Sequence, residues 1–178
     1  MKTIALSFLI LLISSMPAQA AFDNTHKQWN DLLKQYVHWN AKATSTSVNY
    51  EGFIKDRVKL NAYLKTLSSL SRQEYAKWPL AEQQAFLINA YNAYTIDLVL
   101  TRYPELTSIK DFGGVFSSPW KQNFFILLGE KRSLDDVGCQ FVKVACVHAG
   151  CTPGHQSGGG QRQQRDFVLI FHRDFPAA

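Results

Sequence analysis

Taken by the spacing of apolar and polar positions alone, most of the chain reads as helix. In residues 22–40, FDNTHKQWNDLLKQYVHWN, the positions Trp29, Leu32, Leu33, Tyr36 and Val37 fall at i, i+3, i+4, i+7 and i+8, one stripe of an amphipathic helix. His26 and His38 lie off that stripe and read as solvated surface. A polar link, AKATSTS (41–47), leads into VNY (48–50), a candidate extended segment. Residues 52–70 carry a second helical stripe through Ile54, Val58, Leu60, Tyr63, Leu64 and Leu67. Ser71 followed by Glu74 is a capping-box signal for a short helix that must end near Pro79.

The next stretch is different in kind. AEQQAFLINAYNAYTIDLVL (81–100) is helix-compatible and apolar nearly all the way round. A helix that is hydrophobic on every side belongs at the centre of a domain. Pro79 suits its first turn and Pro104 stops it, so a buried central helix is predicted at about 80–103. Asn89 and Asn92 stand about 60° apart on its surface and share a side. Buried amides need partners, so this pair either ties down backbone of the following loop, near Gly113 to Trp120, or points into a polar pocket.

Beyond Pro104 the periodicity changes. ELTSIKDFGGVFSSPW (105–120) has the Gly113-Gly114 pair and a Ser117-Ser118-Pro119 turn, a loop composition of the kind that carries sites. Trp120 and Ser117 are the candidate binding residues there, with Trp120 read either as a core lid or as a pocket wall. NFFILL (123–128), GEK and RSL then read as strand, turn and strand. Ser133 with Asp136 marks another helix start. The fold class expected is α+β: one mainly helical domain with a small antiparallel β-hairpin.

Composition narrows the setting. At 46% hydrophobic and 13% aromatic the chain can bury a sizeable core. The formal charge of +5 is scattered without a run or stripe, so no nucleic-acid partner is expected. Residues 1–20 read as a cleavable signal peptide. Lys2 is followed by the apolar run IALSFLILLI (4–13), and Ala18 and Ala20 place the cut before Ala21. An apolar run of ten is too short for a hydrocarbon core of roughly 30 Å, so no membrane span is expected in the mature, exported, periplasmic or secreted chain.

Several unlike motifs now occur in one order: AFLINAYNAYTIDLVL, SIKDFGG, SSPWKQNFF and a hairpin ending in SLDDV. Together with WNDLLKQYV and VNYEGFIKDRVKLNAYLKTLSSL, they resemble the domain of unknown function 547 family over residues 21–137. The resemblance implies Asn89, Tyr91, Asn92, Ser117, Trp120, Leu134 and Asp136 as family-pattern positions. It also implies Glu-His, Leu-Arg and a CAS-x-GCP phrase after SLDDV. Here Gly138-Cys139 stands instead, and Cys146, Cys151 and Pro153 arrive early. Residues 138–178 hold six of the ten glycines and all three cysteines. That break suggests a shifted frame or a truncated gene, with a native diverged tail as the alternative. Residues 138–178 are accordingly expected to be poorly ordered or loosely packed.

The tail offers tempting chemistry. Cys139, Cys146, His148, Cys151 and His155 match no standard zinc spacing, and no metal is expected. Gly158-Gly159-Gly160 lacks the Lys and Ser/Thr of a phosphate loop, and no cofactor is expected. Three function classes remain, with partner and substrate unknown. The first is an exported, envelope-associated binding module. The second is a thiol-dependent hydrolase or acyl-transferase, inactive in this copy, for which Cys146 or Cys151 would be the nucleophile and Asn89 or Asn92 would assist. The third is an adaptor that holds a partner protein through exposed aromatics.

Overall fold

The computed structural model describes residues 21–39, 46–105 and 118–148, the last four by their backbone alone. The signal-peptide reading, the 106–117 loop and residues 149–178 therefore lie outside the described residues.

Helix α1 spans Lys27–Tyr36, not the whole of 22–40. Asp23 prevents an earlier start, because its carboxylate accepts from the Thr25 and Lys27 amides (3.0 and 3.1 Å) and from the Thr25 hydroxyl (2.6 Å). Such side-chain bonds compete with helical pairing of the same backbone. At the other end Val37 leaves the helix for β1 (Val37–Trp39), which pairs antiparallel with β2 (Thr46–Val48). This second hairpin was not expected beyond the extended reading of 48–50.

The predicted helix over 52–70 divides in two. Helix α2 (Tyr50–Lys55) is capped by Asn49, whose Oδ1 accepts from the Gly52 amide at 2.9 Å. Helix α3 follows at Arg57–Ser69. The break falls at Asp56, whose carboxylate accepts from the Tyr36 hydroxyl and from Lys59, both at 2.8 Å. It also re-phases the stripe: Leu60, Tyr63 and Leu67 are buried, whereas Ile54 and Val58 face solvent. Ser71 caps the short α4 (Arg72–Tyr75) by accepting from the Glu74 amide, as the spacing predicts.

Helix α5, Leu80–Leu100, is the hub. Its buried positions include Phe86, Leu87, Ala90, Tyr91, Ala93, Tyr94, Ile96 and Val99, which together go right round the helix. Helices α2, α3 and α6 all pack on it. Phe86 and Leu87 are fully buried, and burial of a side chain that size contributes about 1.5–3 kcal/mol. The expected central buried helix is present, and the fold is α+β and mainly helical.

A 3-10 turn at Pro119–Lys121 leads to the hairpin of β3 (Phe125–Leu127) and β4 (Glu130–Arg132). Leu128 and Gly129 form its two-residue turn, both with positive φ (54° and 80°), the turn whose twist suits paired strands. Burial of the Leu128 side chain offsets the strain of that conformation.

Helix α6 runs Leu134–His148, straight through Gly138. As far as Val144 this corrects the expectation of a loosely packed tail. Leu134 and Val137 are buried, and Phe141 and Val144 pack against the core behind them. That spacing of three and four residues is a helical stripe laid along α5.

Candidate functional site

The described residues carry a half-open cleft of about 410 Å³ between the N-terminal segment with α1 and the C-terminal half of α3 with α4. Its walls include Phe22, Asp23, Asp31, Tyr63, Thr66 and Glu74, with His26 at the floor. A volume of this size falls within the range of small-ligand pockets, roughly 300–1,000 Å³.

His26 reaches the floor because of its backbone. It takes the left-handed conformation (φ 50°, ψ 35°) at the head of α1, which turns its ring inward. The ring is 5% exposed and sits among Phe22, Tyr63 and Phe86, with centroids 5.3, 6.1 and 6.4 Å away. Its Nδ1 lies 2.7 Å from the Tyr63 hydroxyl. Neutral imidazole has one donor and one acceptor nitrogen, and the hydroxyl can serve either. The sequence reading of His26 as solvated surface is corrected here.

Charge around the floor is uneven. Burial pushes the His26 imidazole down to about 4, partly opposed by the Asp23 carboxylate. Burial also raises the Tyr63 hydroxyl well above its usual value. Both groups are therefore uncharged at neutral pH. The Asp23 carboxyl is held below the usual range, first by its bond from the Thr25 hydroxyl and then by the Lys27 and Thr25 amides. On the rim Lys27 and Asp31 pair at 2.6 Å with both side chains well exposed, a contact of small energetic weight. The cleft is thus a neutral polar floor with aromatic and carboxylate walls.

The residues singled out from sequence lie elsewhere, where α5 meets the 3-10 turn and α6. Asn89 and Asn92 are both half-buried on α5. Tyr91 is 6% exposed, and Asp135 in the first turn of α6 is close enough to raise its hydroxyl. Burial is the larger cause of that rise, and the approach of the Trp120 indole partly offsets it. Even so, among the described residues the Tyr91 hydroxyl has no hydrogen bond of ordinary geometry, and neither has the buried Asn92 Oδ1. Trp120 is partly buried against the core, which fits the lid reading better than an exposed adaptor surface.

Asp136 serves structure. It closes a reciprocal box with Ser133, accepting from the Ser133 amide (2.9 Å) and hydroxyl (2.7 Å) while its own amide donates back (3.1 Å). Leu134 is fully buried. Cys139 is a free, exposed thiol on α6 and Cys146 falls within the same helix. Ser117 and Cys151 lie outside the described residues. Among the described residues no group of three or more His, Cys, Asp or Glu side chains is placed to hold a metal ion. Nor is any helix among them long and apolar enough to cross a membrane.

One local signal pointed to the cleft. Asp23-Asn24-Thr25 is a turn composition, and a turn there places His26 at the head of the helix instead of on its surface. The aromatic cage around it comes from positions far apart in the chain, and spacing cannot reveal that. No family model, no curated protein and no solved structure matches the chain.

Proposed function

We propose that the chain is an exported, envelope-associated binding module and that it takes a small ligand in the cleft over His26 and Tyr63. The observation that carries this reading is the cleft itself, with an uncharged histidine–tyrosine pair at its floor. Pockets built for small molecules are mainly apolar with a few convergent polar groups, and the Phe22 and Tyr63 rings with the His26 and Tyr63 polar atoms fit that description. Carboxylates of Asp23, Asp31 and Glu74 outnumber the single Lys27 ammonium on the walls. That balance favours a compact ligand with a ring or short apolar body and a protonated amine. An adaptor role through Trp120 has less support, because that ring packs inward.

The test is an NMR titration of the full chain with benzylamine, and separately with benzyl alcohol as the uncharged control. Saturable shifts confined to residues 22–31, 63–70 and 74, stronger for the amine, are the expected result. Thr66→Met adds bulk at an exposed position on the cleft wall and is expected to weaken those shifts without unfolding the domain. Shifts that are absent, or scattered over the surface and insensitive to Thr66→Met, would end the cleft reading.

A further inference from the structure

We infer that residues 21–26 form an acid-released strap: protonation of His26 expels its ring from the aromatic cage, and the segment lifts from α3 and α5 while α5 stays packed. This names a regulation of the proposed cleft and rests on that reading for its consequence, although the movement can be measured with no ligand present.

The fastening is concentrated on one residue. His26 alone joins the segment to the buried Tyr63 hydroxyl. Its carbonyl also accepts from the Asn30 amide at 2.9 Å, so the first turn of α1 hangs from it. The left-handed backbone at His26 is a conformation that non-glycine residues adopt at a cost, and it is held only while the ring is held. The other ties are weaker. Asn24 donates to Glu82 at 2.6 Å on the exposed surface, and Phe22 leans on Trp78 and Phe86 at 5.4 Å from each. Remove the histidine contact and residues 21–26 keep one surface bond and one half-buried ring, while Trp29, fully buried and stacked on Tyr63 at 5.5 Å, holds the rest of α1 in place.

The direction with pH follows from burial. In the closed state the imidazole takes a proton only near pH 4, whereas a freed histidine does so near 6.5. A depressed value means that closure is fully favoured above 6.5 and is progressively lost as pH falls toward 4. The charged and titratable groups around the ring and the segment are Asp23 on the segment, Lys27 and Asp31 on α1, Tyr63 on α3, Glu74 on α4 and, bonded to Asn24, Glu82 on α5; of the charges, Asp23 is the one that acts on the imidazole. Asp23 and Asp31 are both held below their ordinary 3.8, beneath this window. Tyr63 stays protonated throughout it. Across the window the open population should rise close to tenfold for each pH unit, roughly 300-fold in all.

The test is native-state hydrogen exchange of the full chain by NMR from pH 7 to 4.5, corrected for intrinsic exchange, with no ligand added. Amides near Lys27 and Asn30 should open close to tenfold more per unit as pH falls below 6.5, while α5 amides, which open only with the whole domain, stay far better protected than these at every pH. His26→Asn tolerates the left-handed backbone and cannot take the proton, so its opening should not vary over the same range. The inference fails if His26→Asn keeps the wild-type acid dependence, which would assign it to the carboxylates. It also fails if α5 opens together with the segment. If His26→Asn does not fold, the wild-type ring decides: titration near 6.5 with the Tyr63 contact intact overturns the strap. Opening without benzylamine binding would leave the strap standing and remove only the cleft ligand.

Discussion

Gly52→Ala puts the packing between α1 and α2 to a quantitative test. An added Cβ would lie 2.2 and 2.3 Å from Cδ1 and Cε1 of the Tyr36 ring, well inside contact distance. The ring has little room to retreat. Its hydroxyl donates to Asp56 and accepts from Gln35, both at 2.8 Å, and its face packs on Phe53 with centroids 5.1 Å apart. Alanine would gain about 1 kcal/mol in helix propensity. Against that, overpacking costs about 1–3 kcal/mol, and displacing the Tyr36 hydroxyl sacrifices a hydrogen bond of about 1 kcal/mol. The net expectation is a loss of about 2 kcal/mol, or a fall in Tm of roughly 8 °C for a domain of this size. Thermal and urea melts at neutral pH read it. In a Tyr36→Leu background the same change should become neutral or stabilising by up to about 1 kcal/mol, because the obstruction is gone. A higher Tm for Gly52→Ala alone, or an undiminished penalty beside Tyr36→Leu, would refute the reasoning.

Four further outcomes are expected. Tyr91→Phe removes a buried hydroxyl with no ordinary hydrogen bond among the described residues and should leave urea stability unchanged or raise it slightly. Tyr94→Phe should cost about 1 kcal/mol, since that hydroxyl donates to the Leu64 and Ile126 carbonyls at 3.3 Å each. Asp136→Ala opens the box at the head of α6 and should cost about 1 kcal/mol, read as a lower urea midpoint with reduced helical circular dichroism. The Asp136 carboxyl is held below its ordinary value, first by the Ser133 amide, so its contribution is present above about pH 4 and should fade below that in acid melts. Global stability should also decline between pH 6.5 and 4 as His26 protonates, by at most about 3 kcal/mol, and that slope should vanish in His26→Asn.

The parts of the fold that were legible in the sequence are those fixed by local chemistry. An apolar run between Pro79 and Pro104 announces α5, and the Ser71–Glu74 and Ser133–Asp136 spacings announce two helix starts. What stayed hidden depends on contacts between distant positions. The break at Asp56 answers to the Tyr36 hydroxyl twenty residues earlier, and it turns Ile54 and Val58 outward although they fit a continuous stripe. His26 looks like one polar residue among others until Tyr63 and Phe86 close around it. The stripe of Leu134, Val137, Phe141 and Val144 was readable, but the break in motif order at Gly138 drew the boundary through the middle of α6.

The account turns on α5 being enclosed on every side by the rest of the domain. Native-state hydrogen exchange at neutral pH under increasing denaturant tests this most directly. Amides from Phe86 to Val99 should be the slowest in the chain and should exchange only through global unfolding, with the full denaturant dependence of the urea transition. If they exchange as fast as those of α1 or β1, or without dependence on denaturant, α5 is not the buried centre described here.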